Sequence, residues 1–91
     1  MTALFNLGQT VATPGALEAL EAAGDNPADY LSRHIRGDWG DVCEEDAQEN
    51  DFSLKNDLRI FSAYHLSDNT KIWVITEWDR SATTILLPSE Y

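Results

Sequence analysis

The residues best suited to chemistry lie between positions 34 and 51, in the segment HIRGDWGDVCEEDAQEND. The segment holds one histidine, the only cysteine of the chain, one arginine and seven acidic residues. Residues of these types form active sites, bind metal ions or present an acidic surface to a basic partner. Their spacing decides which of these three roles the sequence favours.

The acidic residues favour an interaction surface. Half of the 16 acids fall between positions 38 and 57, where only Lys55 opposes them. Like charges four residues apart destabilise a helix by a few tenths of a kcal/mol, which is better tolerated if the charges have a use. We interpret them as an imitation of nucleic-acid phosphates, with a merely solubilising surface as the alternative. The residues assigned to partner contact, called the acidic segment below, are Asp41, Glu44, Glu45, Asp46 and Glu49.

Metal binding and cysteine catalysis are poorly supported by the same segment. The chain has no second cysteine, no His-x-x-x-His pair and no oxygen ligands at calcium-loop spacing. Cys43 lies beside Glu44 and Glu45, whose negative charge disfavours a reactive thiolate. We therefore predict no metal and no cofactor, and we predict that Cys43 is a small, buried or half-buried apolar residue.

A second chemical interpretation is a small ribonuclease or toxin-like enzyme. His34, Arg59 and a hydroxyl from Thr83 or Thr84 would supply acid–base catalysis and stabilise phosphate charge. This alternative requires the side chains to converge in one cleft.

The tryptophans suggest a further contact. Trp73 is predicted to lie in the core, and Trp39, between two glycines, to dock the turn after the second helix onto the body. Trp78 lies in the turn sequence EWDRS and is predicted to be exposed, as binding tryptophans often are. Trp78, Asp79 and Arg80 therefore form a second candidate contact patch.

Net charge limits the classes of partner. Sixteen acids against six bases give the 91 residues a net charge of −10, which repels nucleic acid and anionic membranes and attracts basic proteins. We expect no direct nucleic-acid or membrane contact. No apolar run approaches the roughly 20 residues of a membrane helix, and no signal-peptide pattern opens the chain. With a single cysteine, these features predict a cytoplasmic protein.

Two short helices carry clear capping signals. Thr13 and Asn26 are predicted N-caps, each followed by proline, and Gly24 ends the first helix. A third helix is predicted within DVCEEDAQENDFSLKN, with Asp38 or Asp41 as its N-cap and a mostly exposed surface. The predicted inner faces of the first two helices comprise Leu17, Leu20, Tyr30, Leu31, His34 and Ile35.

The hydrophobic period changes from 3.6 to 2 after position 57. LRIFSAYHL, KIWVITEW and ATTILLP are predicted to form a three-stranded antiparallel meander, with the doubly apolar KIWVITEW at its centre. Residues 1–12 would be an arm or edge strand, 13–57 the helical part and 58–88 the sheet. The predicted fold is a single α+β domain, helices first. In a further alternative, ATTILL is an exposed edge that pairs two copies into a homodimeric accessory protein.

Three blocks together resemble a known group: FNLGQTVATPGALEAL, RHIRGDWGDVCEED and KIWVITEWDRSATTILLPSEY. The chain resembles the small "plasmid-related" proteins of bacterial plasmids, integrated elements and phages, over essentially its whole length. It departs from them at Trp78, where alanine is usual, and at Asn69, where glycine is usual. The resemblance implies a cytoplasmic bacterial protein of mobile DNA and brings no catalytic residue. By analogy, small acidic proteins of such elements inhibit restriction or CRISPR machinery, so we predict a non-catalytic antirestriction or anti-CRISPR type inhibitor.

Overall fold

Helices precede most of the strands, as the change of hydrophobic period predicts. The computed structural model describes residues 3–91. The helices are α1 (Pro14–Ala23), α2 (Pro27–Ile35) and α3 (Glu44–Asn56). The strands are β1 (Gln9–Ala12), β2 (Ile60–His65), β3 (Lys71–Thr76) and β4 (Ala82–Leu86), followed by a 3₁₀ turn at Pro88–Glu90. The chain is a single α+β domain.

The sheet has four strands in the order β1-β4-β3-β2. The antiparallel meander of β2, β3 and β4 is confirmed, and β3 lies inside it. The prediction of a three-stranded sheet is incomplete, because β1 adds a parallel strand beside β4. Of the two predictions for residues 1–12, the edge strand is the one that the structure shows. The prediction that ATTILL is an exposed edge is therefore wrong. Strand β1 itself forms that edge and pairs along the outer side of β4.

Capping explains where the helices begin. The hydroxyl of Thr13 accepts a hydrogen bond from the Ala16 amide, and the Asn26 side chain accepts one from the Ala28 amide. Both predicted N-caps are confirmed. Helix α3 instead begins after Cys43, which makes no side-chain capping bond. The prediction of Asp38 or Asp41 as its cap is wrong, because both carboxylates contact other side chains.

One face of the sheet packs against α1 and α2 and forms the core. Side chains alternate along a strand, so Ile72 and Val74 point to this face and Trp73 points to the other. The prediction that Trp73 lies in the core is therefore wrong, since its side chain is half-buried on the outer face. The prediction that Leu17 lies inward is wrong, since its side chain is 53% exposed. The buried residues of the core cluster are Ala16, Leu20, Tyr30, Tyr64, Leu66, Ile72, Val74 and Ile85.

The outer edge of β2 is closed by the chain itself. The Asn50 side chain of α3 accepts a hydrogen bond from the Phe61 amide (3.0 Å) and donates one to the Phe61 carbonyl (2.6 Å). The Ala63 amide and carbonyl bond to Trp39 and Asp41. The outward backbone groups of Phe61 and Ala63 are thus satisfied, and α3 is fixed to the sheet by a polar contact.

Within residues 3–91, no helix is both long and apolar enough to cross a membrane.

Candidate acidic interface

The acidic segment lies at the start of α3 and in the turn before it. All five of its side chains are exposed to solvent. The helix faces the sheet through Asn50 and Ser53, its only buried residues. At 3.6 residues per turn, Glu44 and Glu45 lie on the side of the helix away from that contact, Glu49 lies on its flank, and Asp46 lies one turn before Asn50 on the same side. The structure therefore leaves all five predicted carboxylates in solvent, around the start of α3 and in the turn before it.

Few positive groups neutralise this surface. In the described part of the chain, only two contacts qualify as ion pairs. One joins the Asp41 carboxylate to the ring of His65 at 2.6 Å, and the other joins Arg33 to Asp38 at 2.7 Å. The Arg33 hydrogen bond lowers the pKa of Asp38. Within the acidic segment, only Asp41 contacts a basic side chain, the imidazole of His65.

The Trp78 turn lies at the other end of α3. Trp78 is 62% exposed, as predicted, and Asp79 is exposed beside it. Hydrogen bonds from Ser81 lower the pKa of Asp79. A helix the length of α3 spans about 18 Å at about 1.5 Å per residue, so the turn and the acidic segment are separate contacts. A partner that touched both would have to be a macromolecule.

Arg80 has a structural role that the sequence did not reveal. Its guanidinium donates to the carbonyls of Leu58 (2.6 Å) and Ser53 (3.0 Å), and to those of Glu77 and Trp78 in its own turn. These bonds tie the C-terminal end of α3 to the β3–β4 turn. Of the predicted patch, Trp78 and Asp79 remain free to contact a partner, while the Arg80 guanidinium is occupied.

Phe52 is an exposed aromatic residue that the sequence interpretation omitted. Its ring is 54% exposed on the outer side of α3, almost opposite Asn50 and Leu54. The sequence could have indicated that Phe52 is exposed, because Phe52 does not lie on the loose apolar stripe of α3. It lies between the acidic segment and the Trp78 turn along the helix.

The outer face of the sheet carries a shallow aromatic cavity of about 370 Å³. Phe61 and Tyr91 pack edge-on against Trp73, with ring centroids 5.2 and 5.7 Å away. The Arg59 guanidinium donates a hydrogen bond to the Tyr91 hydroxyl and lies over its ring. Asp46 of the acidic segment also lines this cavity, so the cavity adjoins the acidic segment.

His34 lies on the opposite, core face of the sheet in a chain of hydrogen bonds. The Thr83 hydroxyl donates to the Leu7 carbonyl at 2.7 Å, so it accepts from Thr76, also at 2.7 Å. Thr76 therefore accepts from Nε2–H of His34 at 2.9 Å. Nδ1 of His34 then accepts from the Ser62 hydroxyl at 2.5 Å. This order of donors assigns a neutral imidazole with its proton on Nε2.

The surroundings of His34 keep it neutral. Its side chain is fully buried, and Phe5 and Trp39 meet the ring edge-on at centroid distances of 5.2 and 5.9 Å. Burial lowers the pKa of His34 to about 4. Both ring nitrogens are already bonded within the protein, so no lone pair is left for a substrate proton.

The residues of the ribonuclease-like alternative do not converge. His34 and Thr83 belong to the core face, whereas Arg59 and Thr84 belong to the outer face. A cleft containing His34 and Arg59 together is excluded by the sheet between them. The ribonuclease-like alternative requires these side chains to meet in one cleft, and the structure keeps them apart.

Among the described residues, no group of three or more His, Cys, Asp or Glu side chains is arranged to hold a metal ion. Cys43 is exposed, contrary to the predicted apolar role.

Comparison of the chain with protein-family models, with curated proteins and with solved structures gives no match.

Proposed function

We propose that the protein is a non-catalytic inhibitor that binds a basic, nucleic-acid-handling host or defence protein through the acidic segment. The observation that carries the proposal is the exposed, largely unpaired carboxylate surface at the start of α3. Trp78 and Asp79 would supply a second contact at the far end of the helix. The resemblance to proteins of mobile elements supports an antirestriction or anti-CRISPR type of target.

Charge density supports nucleic-acid imitation. Five acids fall within residues 44–51, namely Glu44, Glu45, Asp46, Glu49 and Asp51. At about 1.5 Å per residue this is one charge per about 2.4 Å of helix axis, whereas duplex DNA carries one per about 1.7 Å. A protein channel that grips phosphates with Lys and Arg would find a similar linear charge on α3.

The hydrogen bonding of α3 allows this surface to be tested without disturbing the fold. Glu44, Glu45 and Glu49 make no side-chain hydrogen bond and are exposed, so Glu→Lys at all three should leave the domain folded. A matched control reverses three exposed helical acids elsewhere, Glu18, Glu21 and Asp29. Both variants carry the same net charge, so they differ only in which three acids are replaced by lysine.

The test is capture from bacterial lysate with wild type and both variants, at about 0.1 and about 0.5 M salt. Wild type and control should retain the same nucleic-acid-handling protein, while the α3 variant loses it, and high salt should weaken the capture. Added duplex DNA should release the captured protein, because the two compete for one channel. Retention by the folded α3 variant, or indifference to DNA, would refute the proposal.

A further inference from the structure

The N-terminal segment differs in charge from the rest of the chain. Its first 17 residues, MTALFNLGQTVATPGAL, contain no charged side chain, although 24% of the chain is charged. The structure places strand β1 of this segment at the outer edge of the sheet. The edge strand is thus an uncharged stretch on a molecule of net charge −10.

The outer edge of β1 presents unpaired backbone groups. Gln9 and Thr13 donate their amides toward the neighbouring β4 segment, to Ser81 and Ile85, each at 3.0 Å. Because direction alternates along a strand, the amides and carbonyls of Thr10 and Ala12 point outward. Among the described residues, none hydrogen-bonds to these outward groups. Since the β2 edge is closed by Asn50 and by Trp39–Asp41, β1 is the open edge of the sheet.

An apolar groove runs beside this edge. Leu17 and Leu31 line it together with Pro27, next to β1. Val11 is 43% exposed on the strand, and Leu17 was expected in the core but lies at the surface. The exposed side chains therefore adjoin the exposed backbone groups.

We propose that this edge pairs with the β1 edge of a second copy of the chain, antiparallel, about a two-fold axis at Val11. Thr10 of each copy would then face Ala12 of the other, which satisfies four outward amides and four outward carbonyls by mutual pairing. An axis perpendicular to the sheet keeps α1 and α2 of both copies on one side, so the two grooves face each other.

The charge distribution favours a second copy as the occupant, because β1 is an edge where two copies can approach without placing acids against each other, whereas a basic partner is drawn to the acidic segment. Two molecules of net charge −10 repel one another over most of their surfaces. Self-pairing needs an uncharged strand, whereas a strand from a basic partner would gain no attraction there. The inference is independent of the proposed function, and its salt dependence has the opposite sign. Salt screens the repulsion and should strengthen pairing of like copies, while it weakens capture of a basic protein.

Light scattering on the wild-type chain tests the pairing directly. The expected mass is twice the 10.2 kDa of the chain at about 0.5 M salt, with a larger monomer fraction at about 0.05 M salt. Val11→Lys and Val11→Glu, which place like charges against each other at the axis, should each be monomeric. Phe52→Lys, a matched change at an exposed apolar residue on α3, should remain dimeric.

Mixing the two Val11 variants supplies the sharpest result. Equal amounts of Val11→Lys and Val11→Glu should restore the doubled mass, because the axis places opposite charges together. Amide hydrogen exchange of the wild type tests the edge without substitution, since protection of Thr10 and Ala12 should rise with protein concentration. A monomeric wild type at high salt, concentration-independent exchange at these amides, or a dimeric Val11→Lys variant would overturn the proposal.

Discussion

Acid should destabilise the fold through the one fully buried histidine. Burial lowers the pKa of His34 from 6.5 to about 4, whereas the unfolded chain takes up this proton near pH 6.5. Between those values the unfolded state binds a proton that the folded state does not. The free energy of unfolding therefore falls as the pH falls from about 6.5 to about 4, and levels off below that.

The size of the effect follows from the shift. One pKa unit corresponds to about 1.4 kcal/mol, so the full loss is about 3.5 kcal/mol, of which about 2 kcal/mol is lost between about pH 7.5 and about pH 5. Hydrogen bonds from Ser67 and Arg33 lower the pKa of Asp25 and Asp38, and their stabilisation is lost only as these carboxyls protonate, below their ordinary value of 3.8. The loss of stability between about pH 7.5 and about pH 5 therefore reports on His34 and not on these two carboxyls.

Urea unfolding followed by tryptophan fluorescence at a series of pH values measures this slope. His34→Gln should remove it, whereas His65→Gln, which changes the other histidine of the chain, should keep it. Imidazole nitrogen NMR of the wild type should show the Nε2–H tautomer at neutral pH and titration near pH 4. A loss below about 0.5 kcal/mol down to pH 5, or an imidazole titrating near pH 6.5, would refute the buried neutral assignment.

Two further substitutions probe the attachment of α3. Asn50→Asp keeps the shape but sets a carboxylate oxygen against the Phe61 carbonyl, so urea unfolding should show a loss of about 2–3 kcal/mol. Equal stability of this variant and wild type would contradict the edge contact. Arg80→Ala removes the bonds to Ser53 and Leu58 and should cost about 1–2 kcal/mol. Because Arg80 has φ 60°, Arg80→Gly should be more stable than Arg80→Ala, and the reverse order would count against this account.

Local rules predicted the helices and the meander because their signals are short-range. Thr13 and Asn26 act as caps within three residues of sequence, and the alternation after position 57 fixes which strand residues share a face. Asn69 also fits its turn, since this residue has φ 75°, a conformation that asparagine adopts more readily than most residues.

Long-range contacts were beyond the same rules. The pairing of β1 with β4 joins residues more than seventy positions apart, and no local pattern in QTVA marks a parallel partner. His34 was assigned a place on the inner face, but its bonds to Ser62 and Thr76 depend on the sheet register. The sequence showed the acidic segment as a charge pattern, but it did not show that α3 is attached to the β2 edge through Asn50.

The closed β2 edge also limits how far the sheet can grow. A sheet with two free edges can add copies at both ends without limit, which is the geometry of a fibre. With Asn50 bonded to Phe61 and the 39–41 segment bonded to Ala63, pairing through β1 consumes the open edge of each molecule. Growth of the proposed dimer would therefore stop at two copies, so Asn50 and the 39–41 segment would together separate a finite assembly from an open-ended one.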